Sequence, residues 1–139
     1  MRMRYFVDVN ADLFREQAPA DGVSAILAHE LVHIVALSRG NRIRRFGLVR
    51  LISGRYTAKF ERGTDLEAIQ RGYGDGLKKY RVWVYTHIPP AKLPDKLRNY
   101  FSPEEIAAIQ IKTKQQPGLF AYWHRHVPAN LQEIQKGGP

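Results

Sequence analysis

The chain has 139 residues, 22 Lys or Arg against 13 Asp or Glu, a formal net charge of +9 and no cysteine. That length suits one domain, and 44% apolar residues suffice for a core. The absent cysteines exclude a disulfide scaffold, a thiol nucleophile and any cysteine-based metal site, so a metal here would be held by His and carboxylates. The positive balance points towards nucleic acid, an anionic membrane or acidic substrates as partners.

Arg2 and Arg4 are followed by Asp8 before any apolar run can develop, so the start does not read as a leader peptide. No stretch approaches the roughly 18 apolar residues of a spanning helix, and a cytoplasmic protein is the expectation. Residues 5–9 alternate weakly and are rich in strand formers, which predicts a short strand. Asp21 is a candidate N-cap for a helix over residues 22–37, stopped by Gly40. This helix is apolar nearly all round, with Val23, Ile26, Leu27, Leu31, Ile34, Val35 and Leu37, and such helices are normally buried. Residues 42–53 carry Ile43, Phe46, Val49 and Ile52 at a period near three, which favours a helix over a strand pair.

Residues 56–71 predict a second long helix, stopped by Gly72, Tyr73 and Gly74. A third starts at Asp75 and runs to about Thr86, ended by Ile88, Pro89 and Pro90. Ser102, Pro103 and Glu105 form a strong helix start: N-cap, proline at N1 and a capping box. That helix is expected to reach about Lys114. Residues 119–139 read as a tail, anchored by Phe120 and Trp123 and carrying His124 and His126. No linker divides the chain, so residues 1–139 are taken as a single domain.

His29-Glu30-Leu31-Val32-His33 is an H-E-x-x-H sequence inside the first long helix. The two histidines, four residues apart, share a face, and their ring nitrogens can bind one zinc ion. Glu30 sits beside them and can take a proton from water that zinc has acidified. A third ligand has to come from another element. Glu61 and Asp65 lie one turn apart on the face that also carries Ala58 and Ile69. Glu61 is therefore the preferred ligand, and Asp65 is placed to accept the second N–H of a ligating histidine. Glu67 is the next choice, followed by His87 and the His124/His126 pair.

Together, H-E-x-x-H and the later Glu61-x-x-x-Asp65 resemble the gluzincin metallopeptidases, the thermolysin-like zincins. The resemblance covers about residues 21–74. It implies that His29, His33 and Glu61 hold zinc, that Glu30 is the general base and that Asp65 orients His29. It also implies a predominantly helical α+β fold, with a zincin-like active-site helix and a glutamate helix under a minimal β-sheet. Family members add a Tyr or His that stabilises the oxyanion. His87 is the first candidate here, followed by Tyr73 and Tyr85. A looser likeness, to CAAX prenyl proteases and heat-shock membrane metallopeptidases, rests on Thr86, His87, Ile88, Pro89, Pro90 and Arg98.

The function these readings imply is zinc-dependent hydrolysis of peptide bonds in a peptide or protein substrate. The alternative is a non-catalytic zinc-containing binding protein. Its docking surface would be the basic stretch Arg39, Arg42, Arg44, Arg45, Arg50 and Arg55, which no acidic residue interrupts and which suits an anionic membrane surface or nucleic acid.

Overall fold

The computed structural model describes residues 4–38 and 54–139. The Gly40 stop, the element expected over residues 42–53, and Arg39, Arg42, Arg44, Arg45 and Arg50 lie outside them. Arg55 is described, exposed in the first turn of its helix.

The helices run in chain order as α1 (Asp12–Arg15), α2 (Ala20–Ser38), α3 (Gly54–Ala68), α4 (Gly74–His87), α5 (Leu93–Asn99), α6 (Pro103–Gln115), α7 (Leu119–Arg125) and α8 (Leu131–Lys136). Among the described residues there is no strand, so the expected α+β class with a minimal sheet is corrected to all-α. Residues 5–9, expected as a strand, have no regular secondary structure. Strand propensity alone does not make a strand: its ladder needs a neighbour to take the backbone hydrogen bonds. No helix among the described residues is long and apolar enough to cross a membrane.

The core gathers Ala25 of α2, Leu66 of α3, Leu77 of α4, Ile106 and Ile109 of α6, Leu119 and Trp123 of α7, and Ile134 of α8. Phe101, between α5 and α6, joins them. The stretch expected as a tail is therefore folded and packed, with Trp123 1% and Ile134 0% exposed. Its α7 puts His124 and His126 in and beyond a last helical turn, where the two rings do not share a face as they would on a strand.

Two glycines set the framework around α2 and α4. A methyl group on Gly76 would collide with the Asp21 carbonyl oxygen and press on Ala25, so the bare glycine lets α2 and α4 approach closely. Gly72 has φ +95°, a left-handed conformation that favours glycine, and it sits in a π-helical stretch, Ile69–Tyr73, between α3 and α4. The helix stop expected at residues 72–74 is thus a kink that carries the chain directly from α3 into α4. The start of α6 is as expected. Ser102 Oγ accepts from the Glu105 N–H at 3.1 Å, and the Ser102 N–H donates to Glu105 at 2.8 Å.

Candidate metal centre

Helices α2 and α3 pack side by side and bring His29, His33 and Glu61 together. His29 Nε2 stands 3.1 Å from His33 Nε2 and 3.1 Å from Glu61 Oε2, and His33 Nε2 stands 3.2 Å from the same oxygen. Three ligand atoms of a tetrahedral zinc site, each roughly 2.0–2.1 Å from the ion, stand about 3.3 Å apart. The observed triangle therefore fits one face of such a site.

The outer partners fix which ring nitrogens carry protons. Asp65 is fully buried and accepts from Arg81 Nη2 at 2.9 and 3.2 Å and from the Phe101 N–H at 3.1 Å. Its carboxylate also lies 2.8 Å from His29 Nδ1. An ionised carboxylate only accepts, so His29 Nδ1 donates, and in the neutral ring Nε2 is a lone pair. Thr64 Oγ1 donates to the Phe60 carbonyl at 3.0 Å, and so is left to accept from His33 Nδ1 at 3.4 Å. The Nε2 of His33 is then also a lone pair. With Glu61 Oε2, three acceptors converge in that neutral state, an arrangement suited to a cation between them.

A proton can serve as that cation. Burial opposes charging His29, but its hydrogen bonds with Asp65 and Glu61 outweigh burial and raise its pKa to about 9. Burial likewise pushes Glu61 up, yet the hydrogen bonds and charges of His29 and His33 bring it down to about 2. Asp65 is held below the usual carboxylate range: burial acts against this, and the Arg81 charge and the His29 hydrogen bond prevail.

A cleft of about 730 Å³ opens on one side of the triangle and is lined by Glu30, His33, Glu61 and Tyr100. Ile26, Leu27 and Trp83 form apolar parts of its wall, and the N-terminal segment from Tyr5 to Leu13 borders it. The expected general base and two of the three expected ligands therefore share one accessible space.

Of the other candidates, only His87 borders the same cleft. Glu67 of α3 pairs with Arg71 in the π-helical stretch that follows, at 2.6 Å, and approaches His124. His124 bonds Gln70, and His126 stacks on Tyr122. His87 lies on the cleft wall, stacked on Trp83 with ring centres 4.3 Å apart, and its Nε2 faces Glu16 at 3.4 Å. Tyr73 lines a second cavity, between α2 and α3. Among the described residues the Tyr85 hydroxyl is buried without a hydrogen-bond partner, and it does not line the cleft. Arg98 pairs with Asp95 at the surface.

Sequence reasoning missed three residues. Tyr100 lines the cleft, its ring centre 6.0 Å from that of His29. Burial and the Glu61 charge raise its pKa against the pull of Arg81, so its hydroxyl stays a donor. Arg81 is 3% exposed, and its guanidinium lies over the Tyr100 ring at 4.6 Å. Arg62, 4% exposed, pairs with Glu105 and donates to the Leu97 and Arg98 carbonyls, which pins the segment leading to Tyr100. A signal existed for both arginines. Arg81 is in phase with the buried Leu77 and Val84, and Arg62 with the buried Leu66 and Ile69, so each lies on an apolar stripe.

No model of a known protein family matches this chain, and comparisons with curated proteins and with solved structures found no match. The fold and the site define its class: an all-α protein with a His29–His33–Glu61 group that could hold a metal ion.

Proposed function

We propose that the chain is a zinc-dependent peptidase of gluzincin type. The observation that carries this reading is the convergence of three potential ligand atoms, from His29, His33 and Glu61, at 3.1–3.2 Å beside a cleft that also reaches Glu30. Zinc is the metal of choice for a site of two imidazoles and one carboxylate, and three protein ligands leave a position open for chemistry. The resemblance of the two helix motifs to gluzincins supports the same reading.

When bound, zinc supplies Lewis-acid polarisation of the scissile carbonyl and lowers the pKa of the attacking water. The remaining steps belong to the chain. His29, His33 and Glu61 hold the ion, and Asp65 and Thr64 fix the two imidazole tautomers. Glu30 takes a proton from the attacking water and returns it to the leaving amine. Tyr100 donates its hydroxyl proton in a hydrogen bond to the carbonyl oxygen as negative charge develops there. The cleft wall, apolar at Ile26, Leu27 and Trp83, holds the peptide.

Metal analysis and one substitution test this. The purified chain is expected to carry about one zinc, and Glu30→Gln to keep it while losing cleavage of an unstructured protein substrate. Absence of zinc, or full activity in Glu30→Gln, would refute the reading.

A further inference from the structure

We propose that Arg81 is a positioning residue that keeps the metal-holding half of the site in register with the Tyr100 half. The inference rests on the peptidase reading above, and it concerns a residue that no sequence motif singles out.

Arg81 makes two connections from one buried guanidinium. Nη2 donates to both oxygens of Asp65, at 2.9 and 3.2 Å, and Asp65 in turn holds His29 Nδ1 at 2.8 Å. The guanidinium carbon sits 4.6 Å from the centre of the Tyr100 ring. The opposite end of this arrangement is closed by the backbone, because Asp65 also accepts from the N–H of Phe101, the residue after Tyr100. Asp65, Arg81 and residues 100–101 thus form a closed set of contacts in which no member can turn without disturbing another.

A charge this deep costs several kcal/mol to bury unless it is well paired. Pairing with Asp65 alone would be met by any cation of the right length. The guanidinium does more, since its Nη2 bonds the carboxylate while its central carbon lies over the Tyr100 ring. A lysine ammonium placed at Nη2 would lack the planar group that now lies over the Tyr100 ring. Arg81 is not one of the three candidate ligands and does not itself line the cleft, so its influence runs through Asp65 and Tyr100.

The test uses the full chain with zinc or cobalt(II) alone as the probe. Arg81→Lys, which loosens the hold on Asp65, is expected to weaken zinc binding by up to roughly 10-fold, the lower end of the cost of losing the direct partner of a metal-binding histidine, and to shift the visible absorption of the cobalt-loaded protein. In the zinc-saturated enzyme it should lower kcat more than it raises KM. Tyr100→Phe keeps the ring, so it should retain wild-type zinc affinity while lowering kcat. Tyr100→Leu removes the surface on which Arg81 lies, and should weaken zinc binding and alter the cobalt spectrum. Wild-type affinity and spectrum in folded Arg81→Lys would overturn the proposal. If that variant does not fold, an unchanged spectrum in Tyr100→Leu overturns it equally. A wild-type chain that takes up neither metal would instead refute the peptidase reading, and this inference with it.

Discussion

The Nε2 atoms of His29 and His33 face each other at 3.1 Å, each with its Nδ1 committed to a different partner from α3: Asp65 for His29 and Thr64 for His33. Two lone pairs held this close repel unless a cation lies between them. Glu61 adds a third acceptor and a negative charge. Helix α3 therefore supplies one candidate ligand and the Nδ1 partners of both histidines within Glu61–Asp65, a little over one helical turn.

Ligand identity follows from that arrangement. Glu61→Ala is expected to lose bound zinc, while Glu67→Ala, whose side chain is paired with Arg71, keeps about one equivalent. Metal analysis of the two purified variants separates them. Retention of zinc by Glu61→Ala would move the third ligand elsewhere.

The metal-free chain should show a characteristic pH dependence. His29 has its pKa raised from 6.5 to about 9, so the stability it contributes is complete below about 6.5 and is lost as pH rises through 9. Glu61 has its pKa lowered from 4.5 to about 2, so its contribution is complete above about 4.5 and is lost as pH falls through 2. In the presence of chelator, the denaturation midpoint should therefore fall between pH 6.5 and 9, by an amount worth up to a few kcal/mol. Zinc affinity should rise over the same interval, because protons no longer compete for the ligand atoms. A flat chelated profile from pH 6 to 9 would contradict the assigned hydrogen bonds.

The C-terminal helices should be part of the cooperative unit. Trp123→Ala is expected to destabilise by about 3–5 kcal/mol, the usual cost of removing a fully buried large aromatic side chain. A urea denaturation curve measures it. A change below about 1 kcal/mol would mean that α7 is not docked as described.

The capping box of α6 has a reach beyond its own helix, because Glu105 also pairs with Arg62 at 3.1 Å. Ser102→Ala should cost about 0.5–2 kcal/mol, as loss of an N-cap does. Glu105→Ala should cost more, since it strips the cap and leaves a buried guanidinium without its carboxylate. Equal midpoints for the two variants would argue against the Arg62 contact.

The chain-local features were legible from residues alone. The spacing of His29 and His33 places them on one helical face whatever surrounds the helix, and the spacing of Glu61 and Asp65 does the same on the next. Ser102, Pro103 and Glu105 form their cap within one turn. All of these depend on neighbours three or four positions away, and helix geometry supplies the rest. The glycine stop at residues 72–74 was also readable, although its outcome is a kink, since only packing decides whether two helices separate or continue.

The remaining features depended on partners distant in sequence. A strand needs another strand, so the pattern of residues 5–9 determined nothing by itself. Trp123 and Ile134 became core because α6 lies beneath α7 and α8, whereas a short C-terminal stretch with two glycines and a proline reads as a tail. Arg81 and Tyr100 carry no motif. They reach the site because α4 crosses α2 closely at Gly76 and because Asp65 and Arg62 draw the α5–α6 junction inward. By itself the sequence determined which side chains share a helical face with the candidate metal ligands. The tertiary structure decided which groups close around them, because a buried charge such as Arg81 is stable only where Asp65 awaits it 16 residues away.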